Sequence, residues 1–268
     1  MKELKHKKFA NGIVYAMETE DGYPIEITDT FLPYYTKDAI GNKQNALKKN
    51  ELGDRSERWM IGVSTMSGCP VGCKFCATGK LKRCRNLKWY EIVDQVKFIL
   101  GKSPEGYATA AIAKEFKINY TRMGEPFLNV DAVRTAIKTI DQNFGFYYGI
   151  KPHHYISTIG VKGSDFSWIK DNITLQFSIH SFNEEYRDWL IPYKNKMTLE
   201  EIAAVRTNSN LKTTLNLTLA REEDFDIEKL KALFDPKYFF IKLSPINPNE
   251  VSEKNEMGKG VISQVNLV

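Results

Sequence analysis

The sequence predicts an α/β fold: six β–α units in succession, curved into a partial (βα)6 barrel, with a small N-terminal β extension. Three observations carry that expectation. From residue 59 onward, short β-branched and aromatic runs alternate with segments of helical period. Before residue 59 the chain has short β-prone runs broken by Asn11-Gly12 and Asp21-Gly22, both hairpin signals. Finally, 268 residues, 42% of them hydrophobic, can bury one full core with at most a small appendage. Repeated β–α units imply parallel strands joined by right-handed crossovers. The expected divisions are 1–58 for the β extension and a linker, 59–248 for the core, and 249–268 for a tail closing the barrel.

Taken in order, residues 9–36 read as the β extension, and 37–57, polar and without an apolar period, as a loop or linker. The run 59–65 (WMIGVST) reads as a buried strand leading into a cysteine-rich loop. Asn86 is then expected to cap a helix whose Ile92, Val93, Val96, Ile99 and Leu100 form one apolar stripe. A second strand is expected near 114–122 with a helix near 129–142, and a third at 153–160 with a short helix in SDFSWIKD. The fourth, 173–181, precedes helices around 183–190 and 198–206; the fifth, 213–220, precedes a helix near 226–235; the sixth is 238–246. In α/β barrels the working residues come from the carboxyl ends of the strands, so those ends are where polar groups matter.

The loop after the first strand holds three of the four cysteines: Cys69, Cys73 and Cys76, in the run SGCPVGCKFCATGK. The spacing C-x3-C-x2-C brings three soft sulfur donors from one short loop, which suits three corners of an iron–sulfur cube and leaves one iron open. A structural zinc loop is the competing reading. Such sites are closed by four Cys or His ligands, commonly as paired knuckles, and here no second knuckle follows and Cys84 stands alone. A disulfide reading is weaker, because three crowded cysteines cannot all pair and nothing suggests a secreted protein.

Other strand ends carry polar groups. The second ends in Met123-Gly124-Glu125-Pro126, where a glycine permits close backbone approach and Glu125 offers an anionic acceptor for an ammonium group. The third ends at Ser157-Thr158-Ile159-Gly160, the fourth at Ser178-Ile179-His180-Ser181, and the sixth at Pro245-Ile246-Asn247-Pro248. Ser178 and His180 are two apart, which on a strand directs both to one face. Singly, each reads as a satisfied polar residue at a strand end; together they read as a site.

The formal charge of +5 permits a polyanionic partner without requiring one. Lys2, Lys5, Lys7 and Lys8 cluster at the start, and Lys80, Lys82, Arg83, Arg85 and Lys88 follow the cysteine loop, either as a solvated surface or as a phosphate-contacting face. No apolar run is long enough to span a membrane and the first residues lack the apolar core of a signal peptide, so a cytoplasmic protein with no membrane partner is expected.

In order and spacing, GCPVGCKFCATGK with RNL, MGEPFLN, ISTIGV, LQFSIHSFNEEYRDWLIP and SPINP resemble the RlmN/Cfr family of radical SAM RNA methyltransferases over most of 59–248. The resemblance implies a 4Fe-4S cluster on Cys69, Cys73 and Cys76, with S-adenosylmethionine on its open iron. It implies a cofactor pocket lined by Gly124, Glu125, Ser157, Ser178, His180 and Asn247, with Phe75 near the adenine. It implies reductive cleavage of S-adenosylmethionine to a 5′-deoxyadenosyl radical, an electron donor such as flavodoxin or ferredoxin, and a nucleobase, nucleoside or RNA substrate.

The resemblance breaks at two positions. The family's route to a methylated adenosine uses two further cysteines, and the matching positions here hold Gly62 and Ile262, neither of which can form a thioether. The family's helical RNA-binding extension is also unmatched by the short β segment. The expected reaction is therefore direct hydrogen abstraction from the substrate. RNA adenosine methylation with a non-standard carrier, Cys84 included, and a non-catalytic binding module are the alternatives.

Overall fold

The structure, a computed structural model, describes residues 1–34, 36–37, 43–44, 52–81 and 84–257. The chain forms two compact units, each drawn from separate stretches of sequence. The first comprises Met1–Ser67, Asn86–Met123 and Asn129–Tyr155; the second comprises Gly68–Arg85, Gly124–Leu128 and the chain from Ile156 onward.

The first unit opens with β1 (Lys2–Phe9), β2 (Gly12–Glu18) and β3 (Pro24–Leu32), followed by the two-residue strands β4 (Thr36–Lys37) and β5 (Lys43–Gln44), then β6 (Arg58–Val63). The β extension is present and longer than expected, since the lysine-rich start is itself a strand. β1 pairs antiparallel with β2 from Lys2↔Glu18 to Phe9↔Gly12, leaving Ala10-Asn11 as the hairpin turn. Its exposed lysines suit an edge strand, where charge discourages pairing with another chain. β3 continues antiparallel on β2 and on β6, with Thr28 opposite Gly62. Most of the expected linker lies outside the described residues.

Next come the two-residue strands β7 (Met66–Ser67) and β8 (Arg85–Asn86), then α1 (Trp89–Leu100), α2 (Gly106–Ile112), β9 (Glu115–Tyr120), α3 (Val130–Tyr148) and β10 (His153–Thr158). β9 runs parallel to β6 from Arg58↔Glu115 to Val63↔Tyr120, as the β–α repetition demands. The stripe of α1 is buried at all five expected positions. Its cap differs: Asn86 is tied up in β8, and the helix starts after Lys88, whose backbone N–H donates to the Glu91 carboxylate at 2.7 Å. α3 continues past 142 and stops at Gly149, a left-handed residue at φ 69°. The sequence reading missed α2.

The second unit contains the end of β10, then β11 (Ile173–Ser178), α4 (Glu184–Leu190), α5 (Leu199–Ala203), β12 (Thr213–Leu217), α6 (Ile227–Leu233), β13 (Phe239–Leu243) and α7 (Glu250–Lys254). β11, β12 and β13 are parallel neighbours. β12 is buried on both faces, the pattern of a central parallel strand. All six expected core strands are therefore present in a largely parallel arrangement. The helix expected in SDFSWIKD is not formed: Asp165 accepts from the Ser167 amide at 2.8 Å, a local turn bond that competes with helix.

Side chains from two helices fix the backbone that leads out of β6. Gln95 on α1 accepts from the Ser64 amide at 2.8 Å and donates to the Ser64 carbonyl at 2.9 Å. Asn129, at the start of α3, donates to the carbonyls of Thr65 and Leu87, both at 2.8 Å. All these groups are buried, so losing one partner leaves the other desolvated. Gln95→Leu would orphan both Ser64 backbone groups and is expected to lower unfolding free energy by about 2–4 kcal/mol, read by urea denaturation. A loss below about 1 kcal/mol would show that the pair is dispensable.

Candidate active site

Every candidate residue named from the sequence lies in the second unit. Cys69, Cys73 and Cys76 sit half-buried on one loop. Gly72 adopts φ 69°, which lets the chain reverse between the first two cysteines at no steric cost. The loop's peptide groups are satisfied from outside it. The Lys74 amide donates to the Leu190 carbonyl at 2.9 Å; Asn255 donates to the Lys74 carbonyl at 2.7 Å and Asn249 to the Phe75 carbonyl at 2.9 Å.

Two of the thiols, Cys69 and Cys73, are held in an environment hostile to their ionised forms. Burial pushes Cys69 up to about 12, with the Glu125 carboxylate and the Cys76 thiol adding to it and a bond from the Val71 amide opposing. Burial also raises Cys73 well above the usual thiol range, with Cys76, Cys69 and Glu125 adding to it. A cationic iron centre would reverse that balance, since a coordinating thiol is deprotonated outright. Among the described residues no three His, Cys, Asp or Glu side chains gather as a single bound ion requires. A cube does not require it, because each thiolate takes a different iron. A soft, all-sulfur donor set on one loop, coupled through space, fits such a cluster.

Glu125 follows Gly124, itself at φ 108°, and is 3% exposed. Its carboxylate accepts from the Phe127 amide at 3.0 Å and the Ile159 amide at 2.9 Å, and from the Thr158 hydroxyl. Burial nevertheless dominates and raises its pKa above the usual carboxylate range. An ammonium group docking there would favour the charged form.

Ser157 and Ser178 stand at the ends of β10 and β11 with their hydroxyls 3.1 Å apart, and Gln176 donates to Ser157 at 2.8 Å. The pleat argument that joined Ser178 to His180 fails, because β11 stops at Ser178 and His180 adopts φ 59°, the left-handed region. A non-glycine residue held there marks local strain of the kind found at functional sites. The imidazole is 4% exposed; its Nδ1 accepts from the Thr218 amide at 3.1 Å, so the neutral ring carries its proton on Nε2. Burial, reinforced by the Arg187 charge, lowers its pKa to about 3. Phe75 meets the ring edge-on at 4.8 Å. Asn247 is exposed, and its carbonyl accepts from Asn249 at 3.0 Å. The sequence reading missed Asn249 and Asn255. Asn249 had a signal, since it precedes the acidic Glu250-Val251-Ser252-Glu253 and caps α7.

Two departures from the resembled family have different standing. Gly62, in the first unit, has no room for a side chain: a Cβ there would overlap the Thr28 hydroxyl and approach Arg122 Nε to 3.1 Å. Ile262 lies outside the described residues. Cys84 is exposed.

Residues 63–234 match the family described as the Radical SAM superfamily. The chain belongs to the radical SAM superfamily. This is a class of enzymes that use a 4Fe-4S cluster and S-adenosylmethionine. The chain is 35% identical over 175 residues to a probable dual-specificity RNA methyltransferase RlmN of Dictyoglomus turgidum, covering 60% of this chain and 48% of that protein. It is 31% identical over 213 residues to the corresponding protein of Gloeobacter violaceus, covering 76% and 58%. The chain thus spans about half the length of the curated relatives it matches. A radical SAM methyltransferase structure from Sphaerobacter thermophilus shares the fold, with TM-score 0.68 and 22% identity over 97% of this chain and 75% of that one. No helix among the described residues is long and apolar enough to cross a membrane.

Two expected outcomes test this geometry. Gly62→Cys should destabilise the protein by about 1–3 kcal/mol through overpacking, and Thr28→Ala added to it should recover much of that loss in thermal melts. No recovery would show that Thr28 is not the obstruction. For His180, the folded-state pKa of about 3 lies below the unfolded value near 6.5. Between those values the unfolded chain binds the extra proton. Its contribution is therefore complete above pH 6.5 and falls by about 2 kcal/mol by pH 5. His180→Asn, which tolerates the left-handed conformation, should flatten stability between pH 7 and 5; an unchanged pH profile would rule out a buried neutral imidazole.

Proposed function

We propose that Cys69, Cys73 and Cys76 hold the 4Fe-4S cluster and that Phe75, Gly124, Glu125, Ser157, Ser178, His180 and Asn247 line the S-adenosylmethionine pocket. One observation carries this reading: Phe75, set between Cys73 and Cys76, meets the His180 ring at 4.8 Å, which brings the cysteine loop against the strand-end polar groups, and the buried Glu125 charge reaches Cys69 and Cys73. A ligand spanning cluster and carboxylate would thus meet sulfur-bound iron on one side and an anion suited to its ammonium on the other. When bound and reduced, the cluster supplies the electron that cleaves the sulfonium to methionine and a 5′-deoxyadenosyl radical.

The chain's own groups orient the ligand. Glu125 receives the amino group, with Gly124 permitting close backbone approach. The paired hydroxyls of Ser157 and Ser178 offer donors and acceptors for the carboxylate or ribose. His180, neutral with its proton on Nε2, donates without adding charge, and Phe75 offers an apolar ring to the adenine.

The substrate, which would lose a hydrogen atom to that radical, we assign to the nucleobase, nucleoside or RNA class on the strength of the RlmN relatives. A small redox protein such as flavodoxin or ferredoxin is the electron donor in this reading, and the cytoplasm its compartment. RNA adenosine methylation with a non-standard carrier is the second reading, favoured by the names of those relatives and opposed by glycine at position 62, where the resembled family has a cysteine.

Anaerobic reconstitution tests both. The reduced protein is expected to bind about four irons and four sulfides, to show a cluster signal in electron paramagnetic resonance, and to form 5′-deoxyadenosine from S-adenosylmethionine. Cys69→Ala, Cys73→Ala and Cys76→Ala should each lose all three properties, and Cys84→Ala none. A cluster-loaded protein that makes no 5′-deoxyadenosine with RNA, oligonucleotides or nucleosides would refute the hydrogen-abstraction reading. S-adenosylhomocysteine among the products, detected by mass spectrometry, would favour methyl transfer.

A further inference from the structure

Away from the cysteine loop, the second unit contains a cavity of about 490 Å3 walled by Lys162, Arg187, Lys194, Lys196 and the carboxylates Glu184 and Asp188. Its walls are laced by backbone bonds: Lys162 N–H to the Asn195 carbonyl at 2.8 Å, Met197 N–H to the Gly160 carbonyl at 2.8 Å, and a bridge between Val161 and Lys196. The cations are therefore held on a fixed frame.

Arg187 is the unusual member. It is 3% exposed, and its two terminal nitrogens donate only to main-chain carbonyls, of Met197 at 2.8 Å and Ile159 at 3.3 Å. Its Nε has no hydrogen-bond partner among the described residues. Burial draws its pKa down to about 10, so it is cationic at neutral pH in a place where charge is costly. Both carboxylates pair with lysines, Asp188 with the wall's own Lys196 at 2.5 Å and Glu184 with Lys229 at 3.3 Å, and their charges also favour the cationic form of Arg187. Lys162 faces Glu201 at 3.6 Å. The wall thus carries four cations against two carboxylates, and Arg187, its most buried cation, makes no direct ion pair among the described residues.

We propose that this cavity is a binding subsite for a phosphate group. The Arg187 Nε–H, which no described residue accepts from, and the exposed Lys194 ammonium are charge-assisted donors on one wall, with the paired ammoniums of Lys162 and Lys196 beside them, a set suited to an oxyanion such as phosphate. The cavity is much larger than a bare phosphate, with room for a phosphodiester and its flanking sugars. The subsite also communicates with the proposed cofactor pocket. Ile159 offers its carbonyl to Arg187 and its amide to Glu125, and the Arg187 charge is felt at His180. The nucleic-acid origin of the phosphate rests on the functional reading above; the oxyanion subsite itself does not.

The test uses the full chain, purified in oxyanion-free buffer, and two probes. Inorganic phosphate, followed by calorimetry and thermal shift, should bind and raise the melting temperature. Lys194→Ala, an exposed change that leaves the frame intact, should weaken phosphate at least threefold, and Arg187→Gln, checked for folding by circular dichroism, at least tenfold. A labelled single-stranded RNA of about a dozen nucleotides should bind with a salt-dependent affinity whose log–log slope shrinks by about 0.7 in Lys194→Ala, the value for one lost phosphate contact. Phosphate binding without RNA binding upholds the subsite and overturns the RNA reading of the substrate. Absence of phosphate binding, or equal phosphate affinity in the wild type and both variants, overturns the subsite.

Discussion

The Glu125 carboxylate is withdrawn from water and answered by two main-chain amides and the Thr158 hydroxyl, yet burial still raises its pKa. An anion in that state destabilises any further negative charge nearby, and it does so to Cys69 and Cys73. The glycine before Glu125 bends the chain, the amide of Ile159 is committed to it, and burial holds Cys69 and Cys73 in their neutral form unless a cation offsets them and the carboxylate. The arrangement is matched to a cationic cluster and an ammonium-bearing ligand, either of which would favour the charged forms.

Around that centre, positioning is done by main-chain hydrogen bonds more than by ion pairs. Asn249 and Asn255 hold the carbonyls of Phe75 and Lys74, and the Thr218 amide fixes the His180 tautomer. In the first unit Gln95 and Asn129 do the same for Ser64 and Thr65. Buried bonds of this kind have defined directions and leave desolvated groups when broken, so they orient a loop more sharply than exposed charge pairs, which water and salt weaken. Arg187 fits the same pattern, its guanidinium bridging the carbonyls of Ile159 and Met197.

Much of this could be read from residue order. The C-x3-C-x2-C loop, the Gly124-Glu125 turn and the five-residue apolar stripe of α1 are local patterns, and local patterns survive without knowledge of the fold. The six core strands were recognisable because each is a compact β-branched or aromatic run. Errors fell where local signals competed. Asn86 looks like a helix cap but is taken by a strand, the Asp165 turn displaces a helix that composition alone favours, and the lysines of β1 conceal a strand because an edge tolerates charge.

By itself the sequence determined which chemistry is available: three soft ligands at cluster spacing, an acidic turn one β–α unit later, small hydroxyls and an imidazole at strand ends, and glycine where the resembled family has a thiol. Only the tertiary structure decided the states of those groups. His180 turns on a left-handed backbone and stays neutral, Glu125, Cys69 and Cys73 are pushed toward protonation, Gly62 faces a space filled by Thr28, and Arg187 carries a buried charge with no carboxylate directly bound to it among the described residues. The physical reason is that burial and hydrogen bonding are set by partners far away in sequence. Desolvation depends on everything that surrounds a group, whereas ligand identity depends on the residue alone.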